Sequence, residues 1–162
     1  MFREMRRKDR MMEEPQIKKV LENGEYGILA SFGEEGFPYA IPYSYAMLDG
    51  KIYFHCTARE SHSKDNIHSN PNVCFTVVGE TELLPAQFAT CFESVVVFGT
   101  AKEILDQEQK EAALTALLEK YSSAYMKEGK EYINAAGHGT SVIEITPLHM
   151  TGKARYKNNR GK

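Results

Sequence analysis

The run from Lys51 to Pro71, K-I-Y-F-H-C-T-A-R-E-S-H-S-K-D-N-I-H-S-N-P, gathers the residues of this chain best suited to chemistry. Tyr53, His55 and Thr57 alternate with Ile52, Phe54 and Cys56, a period of two that gives a strand one apolar face and one face of hydrogen-bonding groups. A polar turn follows. A short helix then starts at Ser61 as N-cap and stops before Pro71, because the residue preceding a proline is pushed out of helical geometry. The first turn of a helix carries unpaired N–H groups and a partial positive charge. Thr57, Ser61, Ser63 and Lys64 around that turn would offer an anion hydroxyl donors, backbone donors and a full cation, as a phosphate seat for a nucleotide-like cofactor requires. The same local pattern also fits an ordinary capped surface helix with a solvated lysine.

Other chemistries find less support. Five histidines and three cysteines invite a metal site, but no C-x-x-C or H-x-x-x-H pair occurs. His62 and His68, six apart on a helix, point to different faces, and the neighbours His55 and Cys56 face opposite sides of a strand, so no metal is expected. The deaminase pattern H-x-E with P-C-x-x-C is missing, as are the G-x-S-x-G elbow, the P-loop and G-x-G-x-x-G. His68, His138 and His149 have no assigned role, except that His138 or His149 would be the axial ligand if the chain carried haem.

The 162 residues fit one domain, residues 1–162, with a substantial core. Hydrophobic residues at 42% and charged residues at 26% are ordinary for a soluble protein, and no run approaches the length of a membrane span. The start, M-F-R-E-M-R-R-K-D-R, has no apolar signal core behind it, so a cytoplasmic location is expected. Cys56, Cys74 and Cys91 are odd in number and widely spaced, which favours reduced thiols over a disulfide framework. A net charge of −2 gives no general attraction to nucleic acid. Both ends are locally basic, with Arg3, Arg6, Arg7, Lys8 and Arg10, then Lys153, Arg155, Lys157, Arg160 and Lys162. Solvated tails are the first reading of these runs; wrapping onto a partner subunit or an anionic cofactor is the second.

The elements that must position the site follow from periodicity. Ile17, Val20 and Leu21 predict a short helix over Pro15 to Glu22, closed by Asn23-Gly24. Strands are expected at Tyr26 to Phe32, Tyr39 to Leu48, Ile52 to Cys56, Val73 to Val78, Phe92 to Leu105 and Ser141 to Thr146, with Asp49-Gly50 as the sharpest hairpin signal. Glu80 to Pro85 reads as a charged loop, and the fifth strand as bent at Gly99. Asp106 opens an amphipathic helix carrying Leu114, Leu117, Leu118, Tyr121 and Tyr125 on one buried face. Six strands joined by short antiparallel connections, with a few helices, suggest a closed or nearly closed barrel under helical cover.

Motifs along nearly the whole chain resemble the pyridoxamine 5′-phosphate oxidase-like flavoproteins, and within them the nitroimidazole-resistance (Nim) type. The resemblance rests on Phe2-Arg3-Glu4-Met5-Arg6-Arg7, Gly36-Phe37-Pro38-Tyr39-Ala40-Ile41-Pro42, Phe54-His55, the run Thr57 to Pro71, and Ser94-Val95-Val96-Val97-Phe98-Gly99-Thr100-Ala101. It implies a mainly β, α+β fold, the FMN-binding split β-barrel of antiparallel Greek-key type with peripheral helices. It implies FMN as cofactor, held through the phosphate by Lys64, Thr57 and Ser63, with Ser61, His62 and Cys56 close by. Ile41, Pro42, Tyr43 and Ser44 would contact the ring and ribityl chain, and His55 would sit beside the ring and the bound small molecule as the catalytic side chain. Ser94 would reach the cofactor across a homodimer interface, and Lys153 would approach it from the C-terminal segment. The implied activity is electron transfer from reduced flavin to a small acceptor, with nitro-aromatic compounds as one candidate. Nim-type sequences usually place arginine before S-V, where this chain has Glu93. Alternatives are a non-catalytic flavin or haem carrier on the same barrel, or pyridoxamine 5′-phosphate oxidase itself, whose closing segment has no counterpart in Tyr156 to Lys162.

Overall fold

Period-two alternation builds one antiparallel sheet of seven strands: β1 (Gly27–Phe32), β2 (Pro38–Tyr43), β3 (Tyr45–Leu48), β4 (Lys51–Thr57), β5 (Asn72–Leu84), β6 (Ala89–Glu103) and β7 (Thr140–Arg155). The computed structural model describes residues 2–136 and 139–157. The strand order is β2-β1-β5-β6-β7-β4-β3, with β2 and β3 at opposite edges. Yet Ser44 alone separates these two strands in the chain. A flat sheet cannot satisfy both statements, so the sheet curls until its edges meet, and the barrel is closed by covalent connection at Ser44. The result is the α+β split barrel that the sequence motifs imply.

The barrel is filled from every strand but β2 by fully buried Leu29, Tyr45, Ile52, Phe54, Phe75, Val77, Val95, Val97, Ile143 and Ile145. Tyr45 meets Phe75 edge-on at 5.1 Å between ring centroids, and its hydroxyl donates to the Leu21 carbonyl at 2.6 Å, which satisfies the polar end of a buried aromatic. Leu21, Ile17 and Val20 come from α1 (Glu14–Asn23), which opens with a reciprocal capping box between Glu13 and Gln16. Asp49 and Gly50 both take positive φ, as a two-residue hairpin turn demands.

Three sequence expectations change. Tyr39 to Leu48 is not one strand but two, broken at Ser44, which makes seven strands out of six. Residues Glu80 to Leu84 are not loop: β5 continues through them and pairs with β6 from Thr81↔Phe92 to Leu84↔Ala89. Their exposed polar side chains read as loop because this arm extends beyond the core, where no inner face imposes alternation. Finally, Lys153 and Arg155 are not in a solvated tail. They lie in β7 opposite Ser94 and Phe92, and the N-terminal segment crosses them through a Met11↔Lys153 bridge. Arg160 and Lys162 fall outside the described residues.

Helical cover lies over β3 and β4. The helix α3 (Gln107–Ser122) starts where Asp106 accepts from Gln109 N–H at 2.9 Å. It forms a second apolar cluster of Tyr53, Ile104, Ala113 and Val142 outside the barrel, and α4 (Met126–Ala136) packs beside it. Only Ala113 and Leu117 of α3 are buried, while Tyr125 lies beyond the helix end and is exposed. Tyr121 pins the last turn: its hydroxyl accepts from Tyr45 N–H at 2.9 Å and lies 2.7 and 2.8 Å from the Glu25 and Tyr45 carbonyls, either of which can take its proton. Next to it, Lys120 Nζ is enclosed without a hydrogen-bond partner among the described residues, 3.8 Å above the Tyr45 ring.

Gly99 sits at the register shift between β6 and β7, where a Cβ would stand 2.5 Å from the Thr146 carbonyl oxygen. The obstacle is backbone, so Gly99→Ala should cost about 1–3 kcal/mol in chemical denaturation; an unchanged midpoint would show that the bulge has slack. Burial pushes Lys120 down to about 8, below its value in an unfolded chain, so between those values the unfolded state binds the extra proton. Stability should therefore rise with pH through and above 8, and Lys120→Met should abolish that rise. The same pH dependence in both proteins would contradict it.

Candidate functional site

The end of β4 and the start of α2 (His62–Ser69) form a polar corner of the barrel. The helix is seated by Ile67, which enters the core, and by Asn66, whose Nδ2 donates to Ser31 Oγ on β1 at 3.1 Å. Ser61 occupies the N-cap position with extended backbone, but its hydroxyl does not cap the helix. Instead Ser61 Oγ is buried and has no hydrogen-bond partner among the described residues. The first helical bond runs from Asp65 N–H to the Ser61 carbonyl, which leaves the N–H groups of His62, Ser63 and Lys64 without one among the described residues. An orphaned buried hydroxyl beside three free N–H groups is what an anion would complete.

The remaining expected residues are distributed around this corner. Ser63 is buried and shares a 2.8 Å hydrogen bond with the Tyr43 hydroxyl, linking α2 to the end of β2. Tyr43 in turn stacks on Phe54 at 4.3 Å. Burial raises the Tyr43 phenol although the Ser63 hydrogen bond acts the other way, so it stays neutral and can donate. His62 stacks on Tyr39 at 4.1 Å and lies 3.6 Å from Glu35. Thr57 accepts from the Arg59 N–H at 3.2 Å, a bond that shapes the turn. Cys56 is half-buried, and burial raises its thiol, against the pull of Lys64. Ile41 is half-buried opposite Leu29. Pro42 is exposed opposite Ile28, on an edge strand where its missing N–H costs no ladder bond.

Lys64 is not where a solvated lysine would be. Only 7% of it is exposed, and its ammonium donates to the Ala58 carbonyl at 3.2 Å and to Ser141 Oγ at 3.1 Å, with Glu103 Oε2 at 3.3 Å. Ser141 also donates to Glu103 at 2.5 Å. Burial acts to raise the Glu103 carboxyl, but the hydrogen bonds from Ser141 and Lys64 and the Lys64 charge outweigh it, and the net shift is downward.

His55 lies on the other face of β4, with its ring exposed to a cavity of about 400 Å³. Ser44, His55 and Thr140 line its sheet side, while Leu114, Leu117, Leu118, Tyr121, Tyr132 and Ile133 of α3 and α4 line the rest. This is where the apolar stripe of α3 goes. Sequence periodicity identifies the stripe but assigns it to the core, because it cannot separate a face that packs from one that roofs a cavity. Among the described residues no carboxylate lines this space.

Ser94 and Lys153 are neighbours across the β6–β7 ladder, and Lys153 Nζ lies 5.7 Å from the Phe92 ring. They stand far from the α2 corner, since Ser141 and Lys153 are separated along β7 by roughly 40 Å of strand at about 3.3 Å per residue. Glu93 is satisfied within the chain by the Tyr156 hydroxyl, which donates at 2.8 Å. Of the histidines suggested as haem ligands, His149 is stacked on Phe2 at 4.7 Å, and His138 lies outside the described residues.

No curated protein matches the chain in sequence. Among solved structures, the chain is similar to a conserved hypothetical protein of Mycobacterium tuberculosis, with a TM-score of 0.81 and 20% identity over 98% of this chain and 99% of that one. It is similar to a proposed 5-nitroimidazole antibiotic resistance protein of Bacteroides thetaiotaomicron, with a TM-score of 0.75 and 22% identity over 89% and 86% of the two chains. A FAD-binding protein of Mesorhizobium loti gives a TM-score of 0.67 and 22% identity over 91% and 98%. At these identities the likeness concerns the fold. The family itself is set by sequence: the model of pyridoxamine 5′-phosphate oxidase matches residues 13–154, most of the chain, and the chain belongs to that family.

Proposed function

We propose that this protein is a homodimeric FMN-dependent oxidoreductase that passes electrons from reduced flavin to a small acceptor, nitro-aromatic compounds being one candidate class. The observation that carries this reading is the orphaned Ser61 hydroxyl beside the free first-turn N–H groups of α2, with a separate cavity on the other face of β4 whose sheet side presents His55. The corner suits a phosphate, and the strands leading from it through Tyr43, Pro42 and Ile41 offer a wall for a flat ring. Bound FMN would supply the reversible redox chemistry. The chain's own residues would then hold the phosphate, exclude water and direct the acceptor. His55 would face the acceptor with an imidazole able to hydrogen-bond it, and the aliphatic wall of α3 and α4 would favour an apolar ring over a charged substrate.

Two observations support the dimer. The outward face of β1, β5 and β6 presents Ile28, Phe32, Val78, Val96 and Phe98, three strands wide and mostly exposed, a surface of the kind that a second copy covers. Ser94 lies on that same face, so its reach to a flavin would be to the partner's. Glu93, held by Tyr156, would set the charge at this rim in place of arginine.

Purified protein should show the visible absorbance bands of an oxidised flavin, or acquire them on addition of FMN, with one FMN bound per chain. A colourless protein that takes up no FMN, or one with a Soret band instead, would contradict the reading. His55→Ala should keep FMN affinity within about twofold while lowering turnover of a nitro-aromatic acceptor by about a hundredfold, the scale of a lost proton donor. Unchanged steady-state kinetics would remove His55 from the reaction.

A further inference from the structure

A lysine ammonium has three N–H donors. In Lys64 all three are accounted for, by the Ala58 carbonyl, Ser141 Oγ and Glu103 Oε2, and its positive charge is already matched by Glu103. The side chain is buried, so it would have to leave these partners to touch a phosphate at the mouth of α2. We propose that Lys64 is instead a positioning residue, locked by Glu103 and Ser141, which fixes the β4–α2 turn so that Ser61 and the free N–H groups face the anion without Lys64 touching it. This rests on the reading of the α2 start as the phosphate seat.

The turn from Ala58 to Ser61 is otherwise exposed and rich in long polar side chains. It has two main-chain clamps at Ala58: the N–H donates to the Gly139 carbonyl at 3.0 Å, and the carbonyl accepts from Lys64. The first clamp ties the turn to the start of β7. The second ties it back to the helix it precedes. Glu103, at the end of β6, holds Lys64 in place and is itself held by Ser141, with His68 3.7 Å away on the outer side. The ion pair therefore joins the ends of β6, β7 and α2 under the seat. A residue that contacts the phosphate and a residue that shapes the contact predict opposite effects of removing Glu103. Freed from its counter-charge, a contacting lysine would bind phosphate more tightly. A positioning lysine would lose its lock, and binding would weaken.

The test is equilibrium FMN affinity of the full chain, read by quenching of flavin fluorescence, in Lys64→Met, Glu103→Gln and the double variant, together with amide hydrogen exchange of cofactor-free protein. Glu103→Gln keeps the size of the side chain and one acceptor oxygen while removing its charge, so it remains informative if Lys64→Met folds poorly. Both single variants should weaken FMN binding by about tenfold or more, and the double variant should be no weaker than Lys64→Met alone. Exchange across residues 58–64 should quicken in each variant. Tighter FMN binding by Glu103→Gln would overturn the inference in favour of direct contact, and unchanged affinity with a lowered melting temperature would reduce the pair to a structural role. Faster exchange in variants of a wild type that binds no FMN would keep the turn-fixing role and sink the flavin reading instead; unchanged exchange would overturn the positioning role itself.

Discussion

The fold depends on a one-residue constraint. β2 and β3 end the strand order on opposite sides, and Ser44 is the only residue between them. The chain can meet this only by rolling the sheet, and the rolled sheet has an apolar interior filled by Tyr45, Phe54 and Phe75. The seam is also where hydrogen bonding between the edge strands gives way to covalent connection. Tyr43, just before it, reaches α2, and Ser44 itself lines the cavity beside His55. Barrel closure and site placement are thus consequences of the same connection.

The corner at α2 combines two kinds of polar group. Ser61 Oγ and three first-turn N–H groups have no partner among the described residues, while Lys64, Ser141, Glu103 and Ser63 are fully engaged. A buried lysine without a counter-charge would be costly, and Glu103 offsets that cost where β6 ends. The division has a physical logic. On the proposed reading, satisfied groups hold the turn in place and unsatisfied ones are left for a ligand that would restore the missing bonds.

Much of the fold is legible in the residues. The alternation of β4, the Asp49-Gly50 turn, the cap at Asp106 and the stripe of α1 each carry a local cause that the tertiary structure does not override. The break at Ser44 is not legible, since Tyr39 to Leu48 has no glycine or charge cluster to interrupt it, and only the pairing of β2 with β1 and of β3 with β4 divides it. The arm beyond Val78 escapes notice because period two disappears where neither face is buried. In the site, Lys64 lies in the first turn of α2, as the sequence expects, but buried against Glu103 and Ser141 rather than solvated. Its partners Glu103 and Ser141 lie some forty and eighty residues away, where no local pattern could place them.

The central claim is that an anion completes the start of α2. A crystal structure of the protein with FMN tests it most directly. The account predicts phosphate oxygens within hydrogen-bond distance of Ser61 Oγ and of the N–H groups of His62 to Lys64, with the Lys64–Glu103 pair intact beneath them. A phosphate bound elsewhere, with Ser61 still lacking a partner, would contradict it.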